Sequence, residues 1–399
     1  MAQKRLMILG AGPFQVYGIQ RAVELGYHVI TVDYLPENFG HRISHEYVNA
    51  STTDIEAVVA AAREKDIDGI ATFSSDVATP TVAAVSEALD LPGAHTGVVG
   101  PMVDKARFRA LQRERGLDGP AFVEVASEAD LERVAAMTPP VMFKPVDTSG
   151  SRGVTRVDDL SAASIARAYA EARQYSRSSR VCVEEFVEGV EVGGEAFIRD
   201  GQIAFVTPTH KHKREFIVTG HSLPTNIDAS QQAEVARQVE ISCRELGYTN
   251  GPVNFDVMVA GPRAVVIELS PRTGGNGIPQ LIEHATGFDV YGATARHAVG
   301  DPIEGLGDHP VKRPCGSLVF GDLTGGILES VASKDEVRAA LPEIFLFFNG
   351  YSVGEHVDAF VHGGAGMGYA LFDLPQRSYA DTVQALLEAL HIRTRSDAR

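Results

Sequence analysis

The chain has 399 residues, an ordinary 44% apolar fraction, three cysteines and no tryptophan, which suits about two to four globular domains. Its 52 acidic residues outnumber 36 basic ones, for a formal charge of −16, and this excludes nonspecific nucleic-acid binding, which needs clustered Lys and Arg against phosphate. No apolar run approaches membrane-spanning length, no signal peptide precedes the first strand, and Cys182, Cys243 and Cys315 are scattered as buried thiols would be, so a soluble cytoplasmic protein without a membrane partner is expected.

Residues 5–12 read as an apolar strand ending in Gly10-Ala11-Gly12. A helix to Leu25 follows, stopped by Gly26, and then a strand over 27–33. An acidic residue at the end of the second strand is a dinucleotide-fold signal. Gln15, however, takes the third glycine position, and Pro13 and Phe14 would crowd a pyrophosphate. The favoured reading is a Rossmann-like scaffold without nicotinamide, with a nicotinamide-dependent oxidoreductase as the alternative. Thr53-x-x-Glu56 reads as a capping box for a helix to Lys65, followed by a strand over 69–73 and a helix over 79–89. Ser74, Ser75 and Asp76 sit at a strand end where open α/β sheets bind ligands, but a polar helix cap is the preferred reading.

A helix is expected over 103–114, with Lys105 in its first turn. A cation there opposes the helix dipole and suits a reach toward an anion. Residues 116–187 read strand, helix, strand, loop, helix, strand, with Ser127-x-x-Asp130 as a cap. Within them the run Val141-Met142-Phe143-Lys144-Pro145 opens into a loop of Gly, Ser and Thr. Alternation puts Lys144 on the face of Met142, where an unpaired ammonium is costly and calls for an anion. Ser149, Gly150, Ser151 and Gly153 offer backbone N–H groups and hydroxyls, and Arg152 adds charge, as a polyphosphate requires. The order is not that of a P-loop. A flexible turn beside a snorkelling lysine is the competing reading.

Asp200-Gly201 marks a two-residue hairpin. A helix over 230–246, strands over 254–259 and 264–269, a helix from 278 to about 299, a linker over 301–312 and a last helix over 379–390 follow. His210, Lys211, His212, Lys213 and Arg214 read as a solvated loop, with Lys211 the candidate phosphate ligand; no pattern supports zinc. The glycines of 364–368 read as turns. Asp256 and Glu268 lie on neighbouring strands with apolar flanks. They share a face only if an odd number of residues separates the paired strands, and a three-residue loop of Gly261, Pro262 and Arg263 would supply it.

Taken in order, Lys105, Phe143-Lys144-Pro145 with its loop, Glu184-Glu185-Phe186-Val187, Asn254-Phe255-Asp256 and Ile267-Glu268-Leu269-Ser270-Pro271-Arg272 resemble the motif series of the ATP-grasp superfamily, in its carboxylate–amine (amino-acid ligase-like) group. The resemblance implies an α/β chain. A Rossmann-like pre-ATP-grasp domain would span 1–100, a small lobe or lid 101–187, a large lobe with a metal site 188–305, and a small α+β C-terminal domain 306–399. It implies ATP, with adenine at Glu184 and Val187, ribose at Glu191, and phosphates at Lys105, Lys144, Lys211 and the loop of Ser149, Gly150, Ser151 and Gly153. It also implies two Mg²⁺ ions, replaceable by Mn²⁺, on Asp256, Glu268 and Ser270, the last standing where the family usually has Asn. Arg272 and Lys144 would be catalytic. The implied reaction phosphorylates a small-molecule carboxylate, and an amine then displaces phosphate from the acyl phosphate; a homodimer is left open. The alternatives are a biotin-carboxylase-like or carboxyphosphate-using enzyme and a catalytically silent nucleotide binder.

Overall fold

The computed structural model describes residues 3–374 and 377–396. Short apolar strands alternating with amphipathic helices fold the N-terminal part into a four-stranded parallel sheet, in the order Glu46–Asn49, His28–Asp33, Arg5–Leu9, Gly69–Thr72. Asp33 ends its strand but accepts from the N–H groups of Ala11 and Leu35, each at 3.0 Å, so its carboxylate ties the strand ends together. Gln15 donates to Phe73 O at 2.9 Å and occupies the space beside Gly10 and Gly12. Both contacts fit a scaffold rather than a nicotinamide site. The helix Ile55–Glu64 is capped by Asp54, not Thr53: its carboxylate accepts from Ala57 N at 3.1 Å, a charge-assisted bond that the Thr53 hydroxyl cannot match.

The next unit is an antiparallel sheet in the order Phe122–Val125, Val181–Glu185, Val141–Pro145, Thr155–Val157. Period-two alternation turns Val141, Phe143, Val181 and Val183 toward Ile165 and Ala168 of the helix Ala162–Tyr175. The opposite face therefore carries Met142, Lys144 and Glu184, with Met142 and Glu184 directly paired.

The largest sheet has eight strands, in the order Arg263–Ser270, Gly251–Ala260, Val190–Arg199, Gln202–Arg214, Ile217–Leu223, Cys315–Phe320, Gly368–Asp373, Ile344–Asn349. The strands beyond the 301–314 connection thus continue the sheet begun by the earlier ones. Val192, Ile198, Phe255 and Val257 pack on Val235, Val239 and Cys243 of the helix Ala229–Leu246. The residues between them, Glu191, Glu195, Asn254 and Asp256, necessarily face the other way. Asp200 and Gly201 turn the central hairpin with φ of 52° and 75°. The expected helix from 278 to about 299 is two, Ile278–Thr286 and Val290–Ala298, because the second is capped afresh by Asp289, which accepts from Gly292 N at 2.7 Å. The His210–Arg214 run is not a loop: it ends a 13-residue strand, and its alternation buries Lys211.

Candidate active site

The polar faces of the small-lobe sheet and the large sheet meet across two adjoining cavities of about 300 and 280 Å³. In the first, Lys144 donates to the Glu184 carboxylate, whose second oxygen accepts from Arg109 Nε at 2.7 Å. Arg109, on the helix Lys105–Glu114, is 1% exposed and also donates to Ile267 O at 2.6 Å. Burial opposes ionisation of Glu184, yet the Arg109 and Lys144 charges outweigh it and hold the carboxyl at about 2. The Glu184 side chain thus anchors Lys144. The chain leaves the strand at Glu185, and Phe186 and Val187 line the cavity beside it.

Lys105 opens its helix beside the N-cap Asp104; its ammonium donates to Thr148 O at 2.8 Å and lies 3.4 Å from Glu268. Lys211 Nζ sits 2.7 Å from both Glu191 and Asp256, and Lys213 closes on Glu191 as well. Burial disfavours the Glu191 charge, but these lysines hold its carboxyl down at about 2. Asp256 goes the other way: burial, with the nearby Glu191 and Glu268 charges adding, raises its carboxyl despite Lys211.

Asp256 and Glu268 are direct cross-strand partners. The hairpin loop is only Gly261-Pro262, since Ala260 pairs with Arg263, so the expected three-residue loop is not formed. A bulge at Ile267, opposite Asp256 and Val257, supplies the extra residue instead and restores both carboxylates to one face. Ser270, two residues on, is buried, pairs with Asn254 and lines the second cavity. Among the described residues there is no group of three or more His, Cys, Asp or Glu side chains able to hold a metal. Two carboxylates facing each other across the hairpin nevertheless fit Mg²⁺, whose remaining ligands are typically phosphate oxygens and water.

Ser149, Gly150 and Ser151 line both cavities, but Gly153 lines neither. It is buried at φ 68°, and a side chain there would meet Tyr175 at 2.8 Å, so its work is the turn. Ser151 Oγ donates to Phe216 O at 2.7 Å, and Gly150 O accepts from Gly363 N at 3.0 Å. The C-terminal turn at Gly363-Gly364 therefore forms a cavity wall rather than a remote turn.

Arg272 is fixed by Asp76 at 2.8 Å, Asn254 Oδ1 at 3.0 Å and Thr273 O at 2.9 Å. Burial is outweighed at Asp76 by Arg272, which keeps its carboxyl below the ordinary range. Asp76 is thus not a helix cap. The backbone explains its reach: Phe73 bridges to Thr273, and Ser74 Oγ donates to Gly274 O at 2.7 Å, drawing the first parallel strand's neighbour onto the large lobe. The same face holds His221, whose imidazole burial and the Lys211 charge keep neutral, its value lowered to about 3. Its Nδ1 is 2.8 Å from Thr209 Oγ1. Arg109 and His221 escape a sequence reading, and Asp76 is read there chiefly as a cap, because each is defined by a partner more than ten residues away. The one local trace is Gln112, a helical turn after Arg109, which accepts from it at 2.7 Å.

Comparison with known proteins agrees with this fold. The ATP-grasp domain model matches residues 137–280, and the ATP-grasp N-terminal domain model matches residues 19–93. Formate-dependent phosphoribosylglycinamide formyltransferase of Rhodococcus jostii is 27% identical over 85% of this chain and 84% of its own. Carnosine synthase 1 of Mus musculus is 25% identical over 75% of this chain, which spans only 40% of that protein. The crystal structure of an L-amino acid ligase from Bacillus licheniformis superposes with a TM-score of 0.83 at 22% identity, covering 99% of this chain and 100% of that one. The chain belongs to the ATP-grasp superfamily.

Proposed function

We propose that the protein joins a small carboxylic acid to an amine through an acyl phosphate, with release of ADP and phosphate. One observation carries this reading: the two cavities share Lys211, Asp256, Glu268 and the loop Ser149–Ser151, so a nucleotide in one presents its terminal phosphate to a substrate in the other. Adenine would lie against Met142, Ile267 and the backbone of Glu184–Val187, with Glu191 toward the ribose. Lys105, Lys144 and Lys211 would exchange their present carboxylate partners for phosphate oxygens. Asp256 and Glu268, with Ser270 as a weaker oxygen donor, would hold one or two Mg²⁺ ions, Mn²⁺ serving as a substitute. The metal would neutralise charge on the phosphoryl oxygens.

Chemically, a carboxylate oxygen attacks the γ-phosphorus, the bond to the β-bridging oxygen breaks and ADP leaves. The amine then attacks the acyl carbon, phosphate departs and a proton is released. Arg272, immobilised by Asp76 and Asn254, is placed to stabilise the oxyanion. The three cysteines are free and buried, which suits a reducing compartment such as the cytoplasm. With ¹⁸O in the substrate carboxylate, one label should appear in released phosphate. AMP as product, or label kept wholly in the organic product, would exclude the mechanism. Phosphate release with bicarbonate alone would favour carboxyphosphate chemistry.

A further inference from the structure

The cations around the two cavities are not alike. Lys105, Lys144, Lys211, Lys213 and Arg272 each lie within 4 Å of a carboxylate of the protein. Arg152, among the described residues, has no carboxylate partner; its one side-chain hydrogen bond is a 3.4 Å contact to Ser149 O. It lines the second cavity and is absent from the walls of the first. It also lies outside the set shared by the two, Ser149–Ser151, Lys211, Val218, Asp256 and Glu268, where phosphoryl transfer would occur.

The surroundings pin the loop that carries the guanidinium and, among the described residues, bring no anion to it. Gly363 N donates to Gly150 O at 3.0 Å, which pins the loop. A side chain at Gly364 would press on His362 Nδ1 at 3.3 Å and reach ordinary contact with the guanidinium carbon at 4.0 Å. His362 cannot act as a counterion. Its Nδ1 is buried without a partner, and burial together with the Arg152 charge lowers its basicity. A half-buried guanidinium without an internal anion is costly unless the ligand brings one, and its planar fork matches a carboxylate bidentately.

From this geometry we propose that Arg152 binds a second, non-reacting carboxylate, carried by the amine substrate, so that this substrate is an amino acid rather than a simple amine. The proposal rests on the ligase reading. The carboxylate activated at Asp256 and Glu268 becomes a neutral acyl group with the negative charge carried on its phosphoryl oxygens, whereas the carboxylate on the amine stays ionised throughout. A permanently charged, otherwise unpaired residue away from the transfer point suits the second.

The test uses the full chain, ATP, Mg²⁺ and a panel of amino acids paired with their C-terminal amides. KM for the free amino acid should be at least about tenfold below that for its amide, the scale of a hydrogen-bonded charge pair. Arg152→Gln should raise the amino-acid KM toward the amide value, Arg152→Lys should recover part of the difference, and KM for ATP should move less than about twofold. Equal losses with acid and amide, or a raised KM for ATP, would mean that Arg152 reads phosphate, and would overturn the proposal. Calorimetric titration of the same panel into enzyme holding ADP and Mg²⁺ separates the two claims. Arg152-dependent binding without phosphate release under any pairing would sink the ligase reading and keep the subsite. Phosphate release without any acid-over-amide preference would do the reverse.

Discussion

Replacing Arg109 by methionine removes a guanidinium that is 1% exposed while keeping most of its aliphatic volume. Three partners lose their donor together: Glu184 at 2.7 Å, Gln112 Oε1 at 2.7 Å and Ile267 O at 2.6 Å. Lys144 still contacts Glu184, so the carboxylate is not wholly uncompensated. Breaking one side of a buried ion pair costs about 3–5 kcal/mol, and retention of Lys144 puts the expectation at the lower end, about 3 kcal/mol. In urea the midpoint should fall at an unchanged m-value, which marks lost stability rather than a changed denatured state. Arg109→Met combined with Glu184→Gln should cost less than the sum of the single changes, because the pair is removed as a unit. The pH dependence supplies a further check. Glu184 titrates at about 2 in the folded protein against 4.5 ordinarily, so its contribution is complete above about pH 4.5 and disappears as pH falls toward 2. A loss below about 1 kcal/mol, or strict additivity in the double variant, would refute the idea that this triad anchors Lys144.

Asp256→Asn should leave the ligand-free protein as stable or up to about 1 kcal/mol more stable, because burial and the Glu191 and Glu268 charges already raise that carboxyl, while Mg²⁺-dependent turnover falls at least about a hundredfold; thermal unfolding and phosphate release read the two halves. Asp76→Asn should lower kcat with little change in KM for ATP, since Asp76 fixes Arg272 and does not line the cavity proposed for the nucleotide; a change confined to KM for ATP would contradict that placement. Glu195 is fully buried and burial raises its carboxyl to about 8, so the wild type should lose stability as pH rises from about 4.5 through 8, and Glu195→Gln should flatten that part of the profile; an unaltered profile would show that Glu195 is ionised throughout.

Much of the scaffold is written locally. The helices Thr79–Leu89 and Tyr379–Leu390 coincide with their sequence limits, and the Asp200-Gly201 turn adopts the φ values its residues favour. Strand alternation correctly put Lys144 beside Met142, away from the Val141 and Phe143 core. Legibility ends where a residue's state depends on distant partners. Two lysines among histidines read as a solvated loop, because nothing nearby offers to neutralise them. Lys211 is buried only because Glu191 and Asp256 approach it from strands 20 and 45 residues away, 211 minus 191 and 256 minus 211. Asp76 reads as a cap for the same reason: its partner Arg272 belongs to another sheet.

The bulge at Ile267 shows how closely the candidate site is tied to such non-local detail. With the two-residue Gly261-Pro262 loop and an unbroken ladder, Glu268 would sit opposite Phe255 and turn into the core beneath the helix Ala229–Leu246. One extra residue on the outer strand reverses this. It brings Glu268 opposite Asp256, while the carbonyl of Ile267 accepts from Arg109. Arg109 in turn holds Glu184, and Glu184 holds Lys144. The register of the hairpin carrying Asp256 and Glu268 and the position of Lys144 are thus tied by one connected set of contacts. A change at Arg109 should consequently be felt at both Lys144 and Glu268 in the first cavity, although Arg109 itself is not among its walls.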